Sequence, residues 1–327
     1  MSNPLVTVFG GSGFLGRHAV RALAKAGWRV RVAVRHPNSA YFLTPMGHVG
    51  QIQPVRCNVR DAEQVEAALA GADAAVNLTG LLYQAGGGQS FTGIHVEAAG
   101  TIARAAAAAR IRTLVHVSAI GADADSKCRY NETKGEGEAA VRNAFPDAAI
   151  LRPSLMFGPE DAFFNKFATL ARLVPALPLV GGGKTRFQPV FVGDVAAAVL
   201  RALQDTATRG KTYELGGPTI YTFKELMQAM LREIRRRRLL VPLPFMLASV
   251  KAFFLQMTKF VGVAPLLTPD QVEMLKTDNV ASPQAPGLDA LGIAPIALEA
   301  VIPSYLWRFR AKGQFEEVTP NRAPAQR

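Results

Sequence analysis

Tyr130 and Lys134 stand four residues apart in "CRYNETKGEGE", so on a helix they share one face. Ser118 precedes them, closing the apolar run "TLVHVS" (113–118). These three residue types suit hydride-transfer chemistry. A phenol with a pKa of about 10 is a poor base at neutral pH, and an adjacent ammonium favours the phenolate and lowers that value. The same ammonium can hold the ribose of a nicotinamide, while the serine hydroxyl steadies a substrate oxygen. Tyr-x-x-x-Lys is common on its own; the elements around it give it meaning.

The stretch "TVFGGSGFLGRHAVRAL" (7–23) sets Gly10, Gly13 and Gly16 in GxxGxxG spacing, after an apolar strand and before an amphipathic helix. Gly10 permits the tight turn, Gly13 lets the backbone approach a diphosphate, and Gly16 allows close helix packing. Free N–H groups at the helix start then face the anion. In that helix Leu15, Ala19, Ala22, Leu23 and Ala26 share one face, with Arg17, Arg21 and Lys25 opposite. The second strand ends "VAVRHP", where an NAD site would place an acidic residue on the ribose; here Arg35 follows Val34. A guanidinium grips a 2′-phosphate with two hydrogen bonds, so the expected cofactor is NADPH. "GGGKT" (181–185) resembles a phosphate loop of another kind, but the glycine that motif requires falls at Pro178.

Strands are expected at 5–9, 29–34, 52–57, 74–78, 113–118 and 148–152, separated by Ala-rich helical patterns. Such alternation specifies an α/β fold: a Rossmann-type, doubly wound parallel sheet of order 3-2-1-4-5-6, with the ligand at the strands' carboxyl ends. Residues 1–152 form the expected dinucleotide-binding domain. Residues 153–310 form a smaller C-terminal α/β subdomain interleaved with the sheet, with helices at 192–204 and 222–237, and 311–327 form a tail.

Charged residues are 19% of the chain, below the usual share of about 25%. Either an Ala-rich core is large, or a partner or bilayer covers part of the surface. The net charge of +12 is uneven: residues 1–150 carry 15 basic and 11 acidic side chains, and 151–327 carry 22 and 14. That excess favours anionic partners; without zinc-finger spacing or an aromatic-interleaved basic stripe, nucleic acid is a weak reading. Cys57 and Cys128 make neither a disulfide framework nor a metal site, which fits a reducing compartment. The five histidines lack ligand spacing and read as structural. No signal or transit pattern precedes Leu5, as expected for a bacterial cytoplasmic protein.

Arg235, Arg236, Arg237 and Arg238 run directly into apolar sequence, too short and proline-broken to span a bilayer. As a helix, 245–261 would put Met246, Val250, Phe253, Phe254, Met257, Phe260 and Val261 on one face. This suits an anionic membrane surface or a partner's groove; a core helix beside solvated arginines is the plainer alternative.

The chain resembles the short-chain dehydrogenases/reductases of the extended or atypical type: "GGSGFLG", "NVRD" (58–61), "NLTG" (77–80), "HVSAIGAD" (116–123), "YNETK" (130–134) and "LRPSLMFGPED" (151–161) follow that family's order. It is similar, more narrowly, to the NADPH-binding accessory subunits of respiratory complex I, through "RPSLMFGPEDAFFNKFA" (152–168), "GGGKTRFQPVFVGDVAAAV" (181–199) and "LTPDQVEMLKTDNV" (267–280). That resemblance implies a structural NADPH without turnover, a role in assembly or stability, complex I subunits as partners, and a peripheral place on the cytoplasmic face of a bacterial inner membrane. It implies Gly10, Ser12, Gly13, Phe14 and Leu15 at the diphosphate, Arg35 at the 2′-phosphate, and Asn58 and Val59 at the adenine. Leu78, Thr79 and Gly80 would line the ribose edge, with Ser118, Tyr130, Lys134 and Pro153 around the nicotinamide. A free-standing NAD(P)-dependent oxidoreductase, epimerase or dehydratase using Ser118, Tyr130 and Lys134 as catalytic residues is the alternative, and an NADP(H) sensor a weaker third.

Overall fold

The computed structural model describes residues 3–84, 89–249 and 268–313. Six strands arise where β-branched and apolar residues cluster: β1 (Leu5–Phe9), β2 (Arg29–Val34), β3 (Ile52–Arg56), β4 (Ala74–Asn77), β5 (Thr113–Val117) and β6 (Ala149–Pro153). Short strands follow: β7 (Met156–Phe157), β8 (Ala176–Val180), β9 (Arg186–Phe187), β10 (Val190–Phe191), β11 (Thr212–Leu215), β12 (Tyr221–Thr222) and β13 (Leu239–Leu243). The main sheet is parallel throughout, in the order β11-β6-β5-β4-β1-β2-β3. The expected six-strand order is present, extended by β11 as a seventh, edge strand.

Helices cover both faces, as a parallel sheet requires. On one face α1 (Phe14–Lys25) packs against α6 (Val192–Gln204) over Val6, Val8, Val32, Val76 and Val115. On the other, α2 (Ala62–Leu69), α3 (Ala98–Ala108) and α4 (Arg129–Ala144) cover Phe9, Ala33, Ala75 and Leu114. The buried face of α1 is Leu15, Gly16, Ala19, Val20, Leu23 and Ala24, so the apolar stripe is rotated from the expected one and Ala26 is exposed.

A second core gathers α5 (Ala162–Leu173), α7 (Phe223–Glu233) and residues 298–309 around Phe157, Phe164, Phe223 and Met227. Asp161 caps α5 through the N–H groups of Phe164 and Asn165 and accepts the Tyr305 hydroxyl, anchoring the C-terminal residues. Helix α7 begins on a capping box between Thr222 and Glu225 and ends four residues short of expectation, at Glu233. Just beyond it Arg235 takes φ 51°, a left-handed conformation that cannot continue the helix. Gly181, Gly182 and Gly183 all have positive φ and lead to β9 rather than a helix, so "GGGKT" is a turn after β8. At the sheet edge Arg152 of β6 donates to Glu138 on α4 in a bidentate pair at 2.8 Å and reaches Glu214 of β11 at 3.3 Å.

Candidate functional site

The site begins where β1 turns into α1. Gly10 has φ 78°, and a Cβ there would sit 3.2 Å from the Leu78 backbone. At Gly16 a Cβ would lie 2.4 Å from the Gly10 carbonyl oxygen and 2.5 Å from that of Gly11, closer than such atoms approach. Loop, helix and the end of β4 therefore meet backbone to backbone. Gly13 is the N-cap of α1; no side chain caps it and no acidic residue lies in the first turn. By contrast α5 and α7 each carry an oxygen-bearing cap. The first turn of α1 thus leaves its N–H groups and positive dipole end for an anion. Ser12 and Phe14 are half-buried, and Leu15 is core, so only its main chain can serve a diphosphate.

At the carboxyl end of β2, Arg35 and His36 are both exposed and no carboxylate stands between Val34 and Pro37. A 3-10 run, Pro37–Met46, follows, and its Phe42 ring lies 5.0 Å from the Arg17 guanidinium carbon. Asn58 and Val59 close the neighbouring β3. Val59 is buried, while the Asn58 Oδ1 accepts the Arg60 N–H and its N–H donates to Gln64.

At the opposite end, β5 delivers Ser118 and α4 delivers Tyr130 and Lys134, all buried, with Pro153 buried at the end of β6. The Ser118 Oγ is a buried hydroxyl without a hydrogen-bond partner, which is costly unless something at the site uses it. Lys134 Nζ donates to the Val117 carbonyl at 3.4 Å and would lie 3.5 Å from a Cβ placed on Gly80. Tyr130 is enclosed by Phe91, Leu81, Ala119, Cys128 and Met274. The expected tuning differs here. Burial, with a smaller contribution from Cys128, pushes the phenol up to about 12, and burial brings Lys134 down to about 8 despite nearby Glu138. Desolvation governs both groups because both sit away from water.

Sequence reasoning grouped all histidines as structural and missed the polar net beneath the site. Asn77 receives Thr79 N–H and hydroxyl on its Oδ1 and lies 3.1 Å from His116 Nδ1 through its Nδ2. His95 lies between Leu81 and Thr133. Burial first, then Lys134, lowers both imidazoles to about 3, so they are neutral. No sequence signal marks the Asn77–His116 and His95–Thr133 pairs, because their partners come from different βα units. Among the described residues no cluster of metal-ligating side chains exists. The basic run is partly tied down: Arg236 Nε donates to the Phe309 carbonyl and Arg238 Nε to that of Ala171. Leu239, Val241, Met246 and Leu247 are exposed beside it. Of the expected apolar helix, positions 250–261, including Phe253 and Phe254, lie outside the described residues.

The parallel sheet with a glycine turn before α1 and Ser, Tyr and Lys at the ends of β5 and α4 defines a dinucleotide-fold protein of the short-chain dehydrogenase/reductase kind. The chain belongs to the NAD dependent epimerase/dehydratase family, whose model matches residues 6–216. Within it, the chain is homologous to the mitochondrial NADH dehydrogenase [ubiquinone] 1 alpha subcomplex subunit 9 of Arabidopsis thaliana, 37% identical over 321 residues, covering 96% of this chain and 80% of that one. A ceramide reductase of Caulobacter vibrioides is 33% identical over 242 residues, covering 73% of this chain and 74% of the relative. Among solved structures, the dTDP-glucose 4,6-dehydratase DesIV of Streptomyces venezuelae, with NAD and TYD bound, superposes with a TM-score of 0.70 at 20% identity over 93% of this chain and 96% of its own, a likeness of fold alone.

Proposed function

We propose that this chain is an NADPH-binding accessory subunit of a respiratory NADH:ubiquinone oxidoreductase, in which the cofactor is structural and supports assembly and stability. The observation that carries the cofactor choice is the exposed Arg35 at the end of β2, where no carboxylate repels a 2′-phosphate. Gly10, Ser12 and Gly13, with the main chain of Phe14 and Leu15, would hold the diphosphate. Asn58 and Val59 would flank the adenine, Leu78, Thr79 and Gly80 the ribose edge, and Ser118, Tyr130, Lys134 and Pro153 the nicotinamide end. The unpaired Ser118 hydroxyl and the uncapped start of α1 fit such a ligand. NADPH bound there would carry a transferable hydride; in this role the chain's own groups would only hold the cofactor. A ligand bound only by the native state adds RT ln(1 + [L]/Kd) to stability, which is how a cofactor without turnover serves a larger assembly.

Partners in this reading are other complex I subunits, at the cytoplasmic face of a bacterial inner membrane. Arg235–Arg238 and the adjoining exposed aliphatic residues give the chain a face for an anionic bilayer, with Phe253 and Phe254 in the continuation of that segment. No helix among the described residues is long and apolar enough to cross a membrane. Equilibrium titration tests the cofactor: NADPH should bind at least about tenfold more tightly than NADH, as expected for one charge-assisted bidentate pair, and Arg35→Ser should remove the difference. Equal affinities in the parent protein would refute it.

A second reading, a free-standing reductase, epimerase or dehydratase, is favoured by the Ser118/Tyr130/Lys134 set and by the similarity to the ceramide reductase. Multiple turnovers of NADPH with a defined carbonyl substrate would establish it over the accessory role.

A further inference from the structure

His95 is 2% exposed and lies on the π-helical turn Thr92–Glu97 that leads into α3. The Leu81 backbone N–H donates to its Nε2 at 3.0 Å. A main-chain amide is only a donor, so that nitrogen is unprotonated and the single ring proton sits on Nδ1. Nδ1 in turn faces the Thr133 Oγ1 at 3.0 Å, and that hydroxyl passes its own hydrogen to the Arg129 carbonyl at 2.9 Å, with the Tyr130 carbonyl at 3.1 Å. The imidazole is fixed in plane by stacking on Phe91, with centroids 5.2 Å apart and planes at 19°, and its face meets the Tyr130 ring edge to face at 5.4 Å. A Cβ at Gly137 would lie 2.0 Å from the His95 carbonyl oxygen, so α4 is seated against this turn.

These contacts add a polar tie between two parts of the site that otherwise meet through Leu81 packed against Tyr130 and through Lys134 beside Gly80. Leu81 ends the loop that carries Leu78, Thr79 and Gly80; Thr133 lies between Tyr130 and Lys134. We propose that His95 is a tautomer-locked positioning residue that clamps the Leu78–Leu81 loop to the Tyr130/Lys134 turn and so sets how slowly a nicotinamide dinucleotide leaves. The clamp suits a retained cofactor. Lys134 and His116, the charged and titratable groups nearest it, together with burial keep the ring neutral, so ordinary changes of pH do not open it. A hydrophobic residue of the same size would leave the part-buried Leu81 N–H without its acceptor.

The inference rests on the dinucleotide reading above, and two measurements separate the two. The first needs no cofactor: ring-nitrogen NMR of histidine-labelled protein should show one histidine with Nδ1 protonated and Nε2 bare, unchanged down to about pH 5, far below the usual imidazole midpoint. Loss of that signal in His95→Phe assigns it. A His95 that is protonated there, or carries its proton on Nε2, overturns the clamp. The second is the NADPH dissociation rate. His95→Phe keeps the stacked ring and loses the acceptor, and should release NADPH about tenfold faster, while Thr133→Val should do so about fivefold. His95→Gln and Thr133→Ser restore donor and acceptor and should return to within about threefold of the parent. Unchanged release from His95→Phe, or a loss that neither conservative variant repairs, refutes the proposal; should His95→Phe not fold, the Thr133 pair decides. Absence of NADPH binding in the parent protein instead refutes the cofactor reading, and the NMR result still rules on the clamp.

Discussion

Gly16→Ala adds a single methyl, and the structure fixes what it meets. The new Cβ would lie 2.4 Å from the Gly10 carbonyl oxygen and 2.5 Å from the Gly11 carbonyl carbon and oxygen, all backbone. Ordinary contact needs about 1 Å more, and no rotamer change can supply it because none of the three atoms belongs to a side chain. The Gly10–Gly13 loop must therefore move off α1, the very segment whose N–H groups are proposed to hold a diphosphate. Overpacking of this kind costs about 1–3 kcal/mol of stability. In a chain this long that is a fall of only a few degrees in midpoint, since about 1 kcal/mol moves even a 150–250-residue domain by roughly 2–4 °C. The larger effect falls on the ligand: each hydrogen bond to a charged group lost by the displaced loop is worth about 1.5–3 kcal/mol, so NADPH affinity should drop at least about tenfold. Fluorescence titration of NADPH beside a cofactor-free thermal melt reads both numbers. Gly13→Ala is the control, for its Cβ would approach only the Gly10 oxygen, at 3.3 Å, and should lower the cofactor-free melt by less than Gly16→Ala does. Should Gly16→Ala bind NADPH within twofold of the parent protein, the backbone-contact reasoning is wrong.

Three further outcomes are expected. Lys134 is held below its ordinary 10.5, at about 8, so between those values the unfolded chain binds more protons than the folded one and stability rises with pH. Urea unfolding of the cofactor-free protein should show that rise as the difference between the parent and Lys134→Met. The comparison separates it from Cys57, whose raised pKa acts the other way above about pH 9. A parent-minus-variant difference that falls across that window would contradict the burial argument. Ser118→Ala removes a buried hydroxyl that has no partner, so it should leave the cofactor-free protein as stable as before or slightly more so, while weakening NADPH binding; a loss above about 1 kcal/mol in the cofactor-free melt would point to a partner the structure does not contain. Glu138→Gln leaves Arg152 paired only with Glu214 at the sheet edge and should destabilise the fold by about 1.5–3 kcal/mol, the usual worth of a charge-assisted hydrogen bond, read by denaturant midpoint.

The main sheet was readable because its strands are short, β-branched and separated by helices with a period near 3.6, and because strand order follows from right-handed crossovers. β11 was not: "TYEL" is four residues long and gains strand character only by pairing with β6, which brings in Tyr213 and Leu215 from beyond two helices. The glycine spacing located the loop, yet Leu15 proved to be a core residue that offers only its backbone. Tyr130 and Lys134 were found by spacing, whereas their protonation was misjudged. Spacing shows the neighbouring charge and hides the burial, and burial is set by Phe91 and Met274 from distant parts of the chain. His95 carries no local mark at all; its meaning comes from Leu81 and Thr133 meeting across the fold.

Native mass spectrometry of the purified respiratory particle tests the central claim most directly. The expected result is this subunit released with one NADPH per chain, alongside the other NADH:ubiquinone oxidoreductase subunits. A subunit present in the particle and free of nucleotide, or a particle lacking the subunit altogether, would contradict the account.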